Sequence, residues 1–540
     1  MNRLSWTNAA GLGLLAVCFL LALGRVLLRV ERESSDTVVI RIAHWQLESG
    51  LRDAFDAAAK DYMERNPGVI VEQLPVPERV FKSWLRTQLV GGTAPDIIEM
   101  MKGLEPTTIS RYFFPLSEAL DAPNPHNAGT PLENEPWRRT FSDGLISSFN
   151  EVLLDYYSVP TSMFTVRAFY NKTLWREIFG NRPPPSTYEE FMEVCEGVVQ
   201  FSARTGRKII PVSSSRYHAK YLTDRMFQSQ TQRLMFELDR SRGLAPTGME
   251  LGIDYLTRKW NYDNPAMRDG FQIVHEVGRY MQPGFSQLAR EDGTFYFVQG
   301  HALMTSSGSW DASSLRAQAP FELGAFPIPL PSKEHPRFGK NVIGVASEAG
   351  TESGAQFGVT RASKHPEIAL DFLRYLTSRD ANERFMKRSG WLPIIEGVEP
   401  SDEDVHVKPF MPVLEGELPG IAHTMANFGN DFSQMLQDQF HLLVGPDGSV
   451  DRYLAAVLPR MDSAVRSDLS RRANRARWNL WRQDATAAAY WQLHRLRDDP
   501  VARKRWSLTL EAQTQQEANA LWIERALATP SAPASETTEP

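Results

Sequence analysis

Between residues 36 and 100 the hydropathy pattern switches period four times, and this alternation restricts the fold more than any other feature of the chain. In DTVVIRIAHW, residues 36 to 45, Val38, Ile40 and Ile42 alternate as a strand requires. LRDAFDAAAKDYMERNPG follows, with Leu51, Phe55, Ala58, Ala59 and Tyr62 at helical spacing and Asn66-Pro67-Gly68 as the stop. VIVEQLPV is a second strand, VFKSWLRTQLVGG a second helix and DIIEM a third strand. Strand, helix, strand, helix, strand is the order that builds a parallel sheet with right-handed crossovers.

The junction GGTAPDIIEM, residues 91 to 100, carries three instructions. Gly91 or Gly92 takes the left-handed position that closes a helix, and Pro95 keeps Ala94 extended. Asp96 is then expected in a turn opening onto a sheet edge, and open α/β folds place ligands in crevices at sheet ends.

Later segments repeat the mixture. LLDYYSVPTSMFTVRAFYNKTLWREIF, 153 to 179, passes from a short apolar segment through a loop and a strand into a helix. PPPSTYEEFMEVCEGVVQFSARTG is a helix with Ser186 or Thr187 and Glu189 or Glu190 as capping pairs. TFYFVQGHALMTSSGSW, 294 to 310, reads as a short helix or turn, then a strand, then a glycine turn ending in Trp310. ELGAFPIPLP is another strand, and HPEIALDFLRYLTS a helix with Pro366 in its first turn. From about 451 to 528 the chain is helical almost throughout, with clustered arginine and with Trp478, Trp481 and Trp491. Its basic face is either solvated or turned to anionic lipid. Residues 529–540, TPSAPASETTEP, lack the apolar content to bury a core and are expected to be disordered.

The chain of 540 residues is long enough for two or more domains. A formal net charge of -6 gives no sign of a nucleic-acid partner. Its two cysteines, Cys18 and Cys195, build no disulfide framework or thiolate metal site. Residues Ala9 to Gly24 are uninterrupted by charge, with Arg3 before and Arg25, Arg29 and Arg32 after, so residues 1–32 read as a signal peptide or a membrane anchor. Val17 before Cys18 is not the small residue that a lipoprotein signal uses.

Enzymatic signatures are missing. No phosphate-binding glycine motif, no H-E-x-x-H and no G-x-S-x-G occurs, and GTESG at 350 to 354 lacks the phosphate-loop lysine. The 11 histidines show no close metal spacing. Asp96, Glu99 and Glu105 would have to act as paired carboxylates in a glycosidase, and on a strand Asp96 and Glu99 face opposite sides. Aromatic and polar residues instead gather at element ends: Trp45, Tyr156, Tyr157, Thr161, Ser162, Tyr170, Asn171, Trp310 and Trp391. Flat rings cover the C–H faces of a sugar, while carboxylates, amides and hydroxyls bond its edges.

Taken in order, VIRIAHW, DAAAKDYMERNPGVIVE, GGTAPDIIEM, YYSVPTSMFTVRAFYNKTLWRE, PPSTYEEF, FVQGHALMTSSGSW, FGVTRASKHPEIALDFLRYLTS and SGWLP resemble the extracellular solute-binding proteins of bacterial ABC transporters, in the group that binds sugars and oligosaccharides (family 1). The likeness spans roughly residues 37 to 400 and weakens beyond 450. It implies an α/β protein with the two-lobed, type II-like periplasmic-binding-protein fold, hinged between lobes, here with a C-terminal helical extension. The implied organisation is an N-terminal lobe of 37–150 with 340–385, a C-terminal lobe of 155–335 with 390–450, and a helical extension of 451–528. Crossings between lobes are expected near 151–160, 335–345 and 385–395. The resemblance further implies an extracytoplasmic receptor that closes on a carbohydrate and presents it to ABC permease subunits, without a cofactor, a metal or bond chemistry of its own. Its ligand-binding residues carried over by position are Trp45, Glu48, Asp96, Thr161, Tyr170, Trp310 and Trp391. The extension and the imperfect lipoprotein signal leave two alternatives, an envelope sensor or scaffold on the same fold and a receptor for another solute.

Overall fold

The structure is a computed structural model that describes residues 37–530 except 102–103, 151, 241–245, 349–352 and 424–428. The expected signal or anchor segment 1–32, Cys18 and most of the tail 529–540 lie outside the described residues.

In chain order the strands are β1 (Val38–His44), β2 (Val69–Pro75), β3 (Ile97–Glu99), β4 (Phe149–Asn150), β5 (Asp155–Tyr156), β6 (Val159–Met163), β7 (Val166–Asn171), β8 (Ile210–Val212), β9 (Ala302–Gly308), β10 (Leu323–Pro327) and β11 (Ser353–Val359). The first lobe is built on a sheet of order β2-β1-β3-β11-β6, the second on β10-β7-β9-β8, and β4 pairs with β5 as a small ribbon. β1 runs parallel to both β2 and β3, with Val38 opposite Val69 and Ile42 opposite Ile97. β11 joins antiparallel, with Val359 opposite Ile97.

The helical spacing read between residues 51 and 62 is the packing face. Leu51, Phe55, Ala58, Ala59 and Tyr62 of the helix Ser49–Arg65 are all buried, in one core with Ile40, Phe357 and Phe372. The helix Glu78–Gly91 buries Phe81, Leu85 and Leu89 and ends at Gly92, whose φ of 67° is left-handed. The amide of Thr93 reaches back to the Gln88 carbonyl at 3.1 Å, which completes the cap. In the second lobe Thr187 and Glu190 form the capping box of the helix Tyr188–Thr205, whose Phe191, Val194 and Val198 pack in the core beneath β7 and β9.

The chain leaves the first lobe at β6, turns through Phe164 and Thr165, and enters the second lobe as β7. It returns between β10 and β11. Three boundaries differ from expectation. Residues 341–348, expected in the first lobe, stay with the second: Asn341 Nδ2 donates to Gln230 and Asp269 at 3.0 Å and the Ile343 amide donates to Gln232 at 3.0 Å. Residues 159–163 belong to the first-lobe sheet, because β6 pairs with β11 from Met163–Ser353 to Val159–Phe357. Residues 391–395 also stay in the first lobe: Leu392 bridges Met163, Ile395 bridges Phe141, and Trp391, Leu392 and Ile394 join its core. The third crossing comes later. There the buried Arg167 guanidinium gathers the carbonyls of Pro409 (2.8 Å) and Met411 (2.7 Å) and pairs with both oxygens of Glu348 at 2.9 Å. Arg225 adds a second cation at 3.0 Å from the Glu348 carboxylate. One ion cluster therefore ties β7, the returning strand connection and the third crossing together at the hinge.

The helical extension is a hairpin of the helices Val450–Arg497 and Pro500–Leu527. At 48 residues the first is about 72 Å long. Tyr453, Leu454, Val457, Met461, Val465 and Leu469 on its first half share a core with Leu251, Ile253 and Phe271, so the hairpin base is part of the second lobe. Farther along, it meets the first lobe through charge: Arg475 lies 3.5 Å from Glu105, Lys504 lies 3.9 Å from Asp121, and Arg505 pairs with the buried Asp155. No helix among the described residues is long and apolar enough to cross a membrane.

Candidate functional site

The carboxyl ends of β1 and β3 form the first-lobe rim. β1 ends at His44, and Trp45 to Glu48 lead into the helix Ser49–Arg65. Glu99 closes β3 and is fully buried. Its carboxyl accepts hydrogen bonds from Gln46 Nε2 at 2.7 Å and from the Trp45 amide at 3.2 Å. Burial pushes Glu99 up to about 8, so at neutral pH it holds its proton. Burial also raises Glu48, whose Oε2 has no hydrogen-bond partner. The Trp45 ring stands edge-on to Phe81, with centroids 5.0 Å apart.

The facing wall comes from the second lobe. β9 runs out at Gly308 into the turn Ser309-Trp310-Asp311. A Cβ on Gly308 would lie 2.2 Å from the Trp310 ring, so the indole folds back over the strand only because residue 308 has no side chain. Trp310 Nε1 donates to the Tyr217 hydroxyl at 2.8 Å, and Tyr221 stands between the two rings, 4.9 Å from Tyr217 and 5.4 Å from Trp310. Tyr217 and Tyr221 sit one turn apart on the helix Arg216–Gln228, which Ser215 caps. Arg290 covers Tyr217 at 4.5 Å, pairs with Asp311, and comes within 4.0 Å of Glu78 across the lobe boundary.

At the hinge Phe164 meets Trp310 edge-on at 5.1 Å and Trp391 at 4.8 Å. An aromatic seam thus runs Trp391, Phe164, Trp310, Tyr221, Tyr217 from the hinge along the second-lobe wall. Trp391 Nε1 is buried with no hydrogen-bond partner. Rings of this kind bury apolar ligand faces. The carboxyls of Glu48 and Asp311, the guanidinium of Arg290 and the tyrosine hydroxyls supply edge contacts at the same boundary.

The expected site residues divide. Trp310 and Trp391 come together through Phe164, and Trp45 and Glu48 stand on the first-lobe rim. Three others lie elsewhere. Asp96 enters β3 at its amino end, where Oδ2 accepts the Arg41 amide at 2.8 Å and Oδ1 the Ser363 hydroxyl at 2.6 Å. Its carboxylate pins a turn, and Glu99 takes the carboxyl end. Thr161 is buried within β6, its hydroxyl 3.4 Å from the Ala355 carbonyl. Tyr170 packs in the second-lobe core against Trp175 and Phe326. Because β7 is antiparallel to β9, Val166 pairs with Gly308 at the hinge end while Tyr170 pairs with Met304 farther in. Phe164, Tyr217, Tyr221, Arg290 and Asp311 join Trp310 and Trp391 at the lobe boundary without standing out in the sequence. The Ser215 cap followed by tyrosines four residues apart was a usable signal for two of them, whereas Arg290 had none nearby.

The family model described as bacterial extracellular solute-binding protein matches residues 57–412. An uncharacterized ABC transporter extracellular-binding protein of Pyrococcus horikoshii is 20% identical over 401 residues, covering 72% of this chain and 79% of its own. The multiple sugar-binding protein of Streptococcus mutans is 22% identical over 354 residues, covering 63% of this chain and 71% of its own. Among solved structures, the GacH receptor of Streptomyces glaucescens aligns with a TM-score of 0.57 at 16% identity, over 79% of this chain and 98% of that one. This last likeness is one of fold. The helical hairpin lies beyond the residues that the family model matches.

Proposed function

Because this chain belongs to the bacterial extracellular solute-binding proteins, we propose that it captures a carbohydrate between its lobes and delivers it to the membrane-spanning subunits of an ABC transporter. The observation that carries this reading is the aromatic seam at the lobe boundary, faced by Glu48 and by the Arg290–Asp311 pair. Aromatic faces with hydroxyl, carboxyl and guanidinium groups at their edges are what a pyranose requires. The name of the Streptococcus mutans relative points the same way.

In this reading Trp310 is the stacking anchor, Trp391 backs it through Phe164 from within the first-lobe core, and Trp45 and Glu48 contact the ligand from the first lobe. The lobes close by a hinge motion about Phe164, the return connection and the third crossing. The chain carries no bond chemistry of its own. It works outside the cytoplasmic membrane, with residues 1–32 directing or holding it there.

Calorimetric titration of the full chain with a panel of mono- and oligosaccharides tests this. The expected result is saturable binding at micromolar Kd or tighter, about -8 kcal/mol, lost or greatly weakened by Trp310→Ala. Folded protein that binds nothing in the panel refutes the carbohydrate reading.

A further inference from the structure

We propose that the groove between the first lobe and the helical hairpin is a second binding site, for a neutral ligand with flat apolar faces and hydroxyl edges, the chemistry of an oligosaccharide. The groove encloses ≈ 760 Å³, within the range of small-molecule sites. Its lining shares no residue with the seam at the lobe boundary.

Three features specify the ligand. The first is aromatic: Tyr157 from the first lobe and Trp481 and Tyr490 from the hairpin line the groove, and the Trp481 ring is 74% exposed. The second is a polar stripe. Asn479, Gln483, Thr486 and Tyr490 follow at intervals of four, three and four along the helix Val450–Arg497, so they share one face, and that face lines the groove. Gln483 Oε1 is buried there and accepts no hydrogen bond, a state that buried acceptors rarely keep without a partner. The third is charge. Arg505 is matched by Asp155, Asp484 accepts Gln513 Nε2 at 2.6 Å, and Arg482 lies over Trp478 at 4.7 Å. Arg505 is neutralised by Asp155, and the remaining lining charges, Arg482 and Asp484, are one of each sign, so the groove carries no net charge to select an anion or a cation. A ligand held here touches the first lobe and the hairpin at once. Since the hairpin base is built into the second-lobe core, occupancy would tie the two lobes together.

Hydrogen-exchange mass spectrometry on the full chain tests this with maltotriose, xylotriose, raffinose and tri-N-acetylchitotriose as separate probes. The expected result is that at least one sugar protects, saturably, both residues 479–490 and residues 152–157. Trp310→Ala should leave this protection in place, whereas Trp481→Ala and Gln483→Ala should each weaken it about tenfold. Ser110→Trp, which fills the groove from the first-lobe side, should abolish it without touching the hairpin. Protection of the hinge and β9 alone would leave the cleft reading standing and overturn the second site. Protection of both groove walls that none of the three groove substitutions weakens would overturn it as well, as would no protection of these walls by any of the four sugars.

Discussion

Replacing Glu99 by Gln isolates the effect of one buried proton. Burial lifts the Glu99 carboxyl from its ordinary 4.5 to about 8. Between those values the folded chain keeps a proton that the unfolded chain has released, so stability falls as pH rises, with a limiting slope of about 1.4 kcal/mol per pH unit. His44, stacked on Phe55 at 4.8 Å, works in the opposite direction. Burial pulls it down to about 4, so below its ordinary 6.5 the unfolded chain takes up a proton that the folded chain refuses, and stability rises with pH. His218, pulled by burial to about 3, adds to that opposing trend. At pH 6.5 the unfolded histidines are still half protonated, and they become neutral in both states only above about pH 7.5, so the Glu99 contribution is isolated by the difference between the wild type and Glu99→Gln. From pH 6.5 to 7.5 the wild type should lose about 1 kcal/mol that Glu99→Gln does not. The amide itself shifts stability by about 1 kcal/mol at every pH through its altered hydrogen bonds, which moves the offset and leaves the slope alone. Urea unfolding followed by tryptophan fluorescence in half-unit pH steps measures both, and the difference between the two proteins cancels every other titrating group. Parallel stability curves from pH 6.5 to 8 would mean that Glu99 is ionised in the folded chain, and the reasoning would fail.

Three further outcomes are expected. Arg167→Met leaves Glu348 buried with one of its two cations gone, and should cost about 3–5 kcal/mol in thermal or urea unfolding. Asp96→Asn should lower stability by about 1–2 kcal/mol by weakening the turn held at Arg41 and Ser363, while calorimetry finds sugar affinity unchanged. Gly308→Ala puts a methyl group into the Trp310 ring position and should weaken sugar binding about as much as Trp310→Ala, with a red shift in tryptophan emission.

The fold was readable wherever local rules and tertiary packing agree. Leu51, Phe55, Ala58, Ala59 and Tyr62 were read as one helix face from their spacing and are one buried face. Gly92 closes its helix in the left-handed conformation that a glycine pair before a strand suggests. Lobe membership was less legible, since it depends on partners far along the chain. Nothing within residues 388–395 states that Leu392 will bridge Met163, more than 200 positions earlier, or that Ile395 will bridge Phe141. Local pattern therefore places the crossing too early, in a loop whose apolar residues belong to the first-lobe core.

The site shows the same division, and strand direction explains it. Ligands of open α/β sheets gather at the carboxyl ends of strands. Asp96 precedes and Glu99 ends the three-residue strand β3, and the two look interchangeable as strand-end carboxylates until the sense of β3 is considered. β3 runs parallel to β1, so Glu99 emerges beside Trp45 and Asp96 is left at the far end, next to Arg41. The same test separates the aromatics. Trp310 follows the carboxyl end of β9, whereas Tyr170 closes the antiparallel β7 and is carried away from the hinge into the core. Residue type at an element end is therefore half of a site prediction. The other half is which end of the sheet the element reaches, and the strand–helix alternation that reveals a parallel sheet already contains that direction for β1 and β3. Applied there, it selects Glu99 over Asp96 from the sequence itself. For β7 and β9 the direction depends on an antiparallel pairing between strands more than 130 residues apart, which no local pattern encodes.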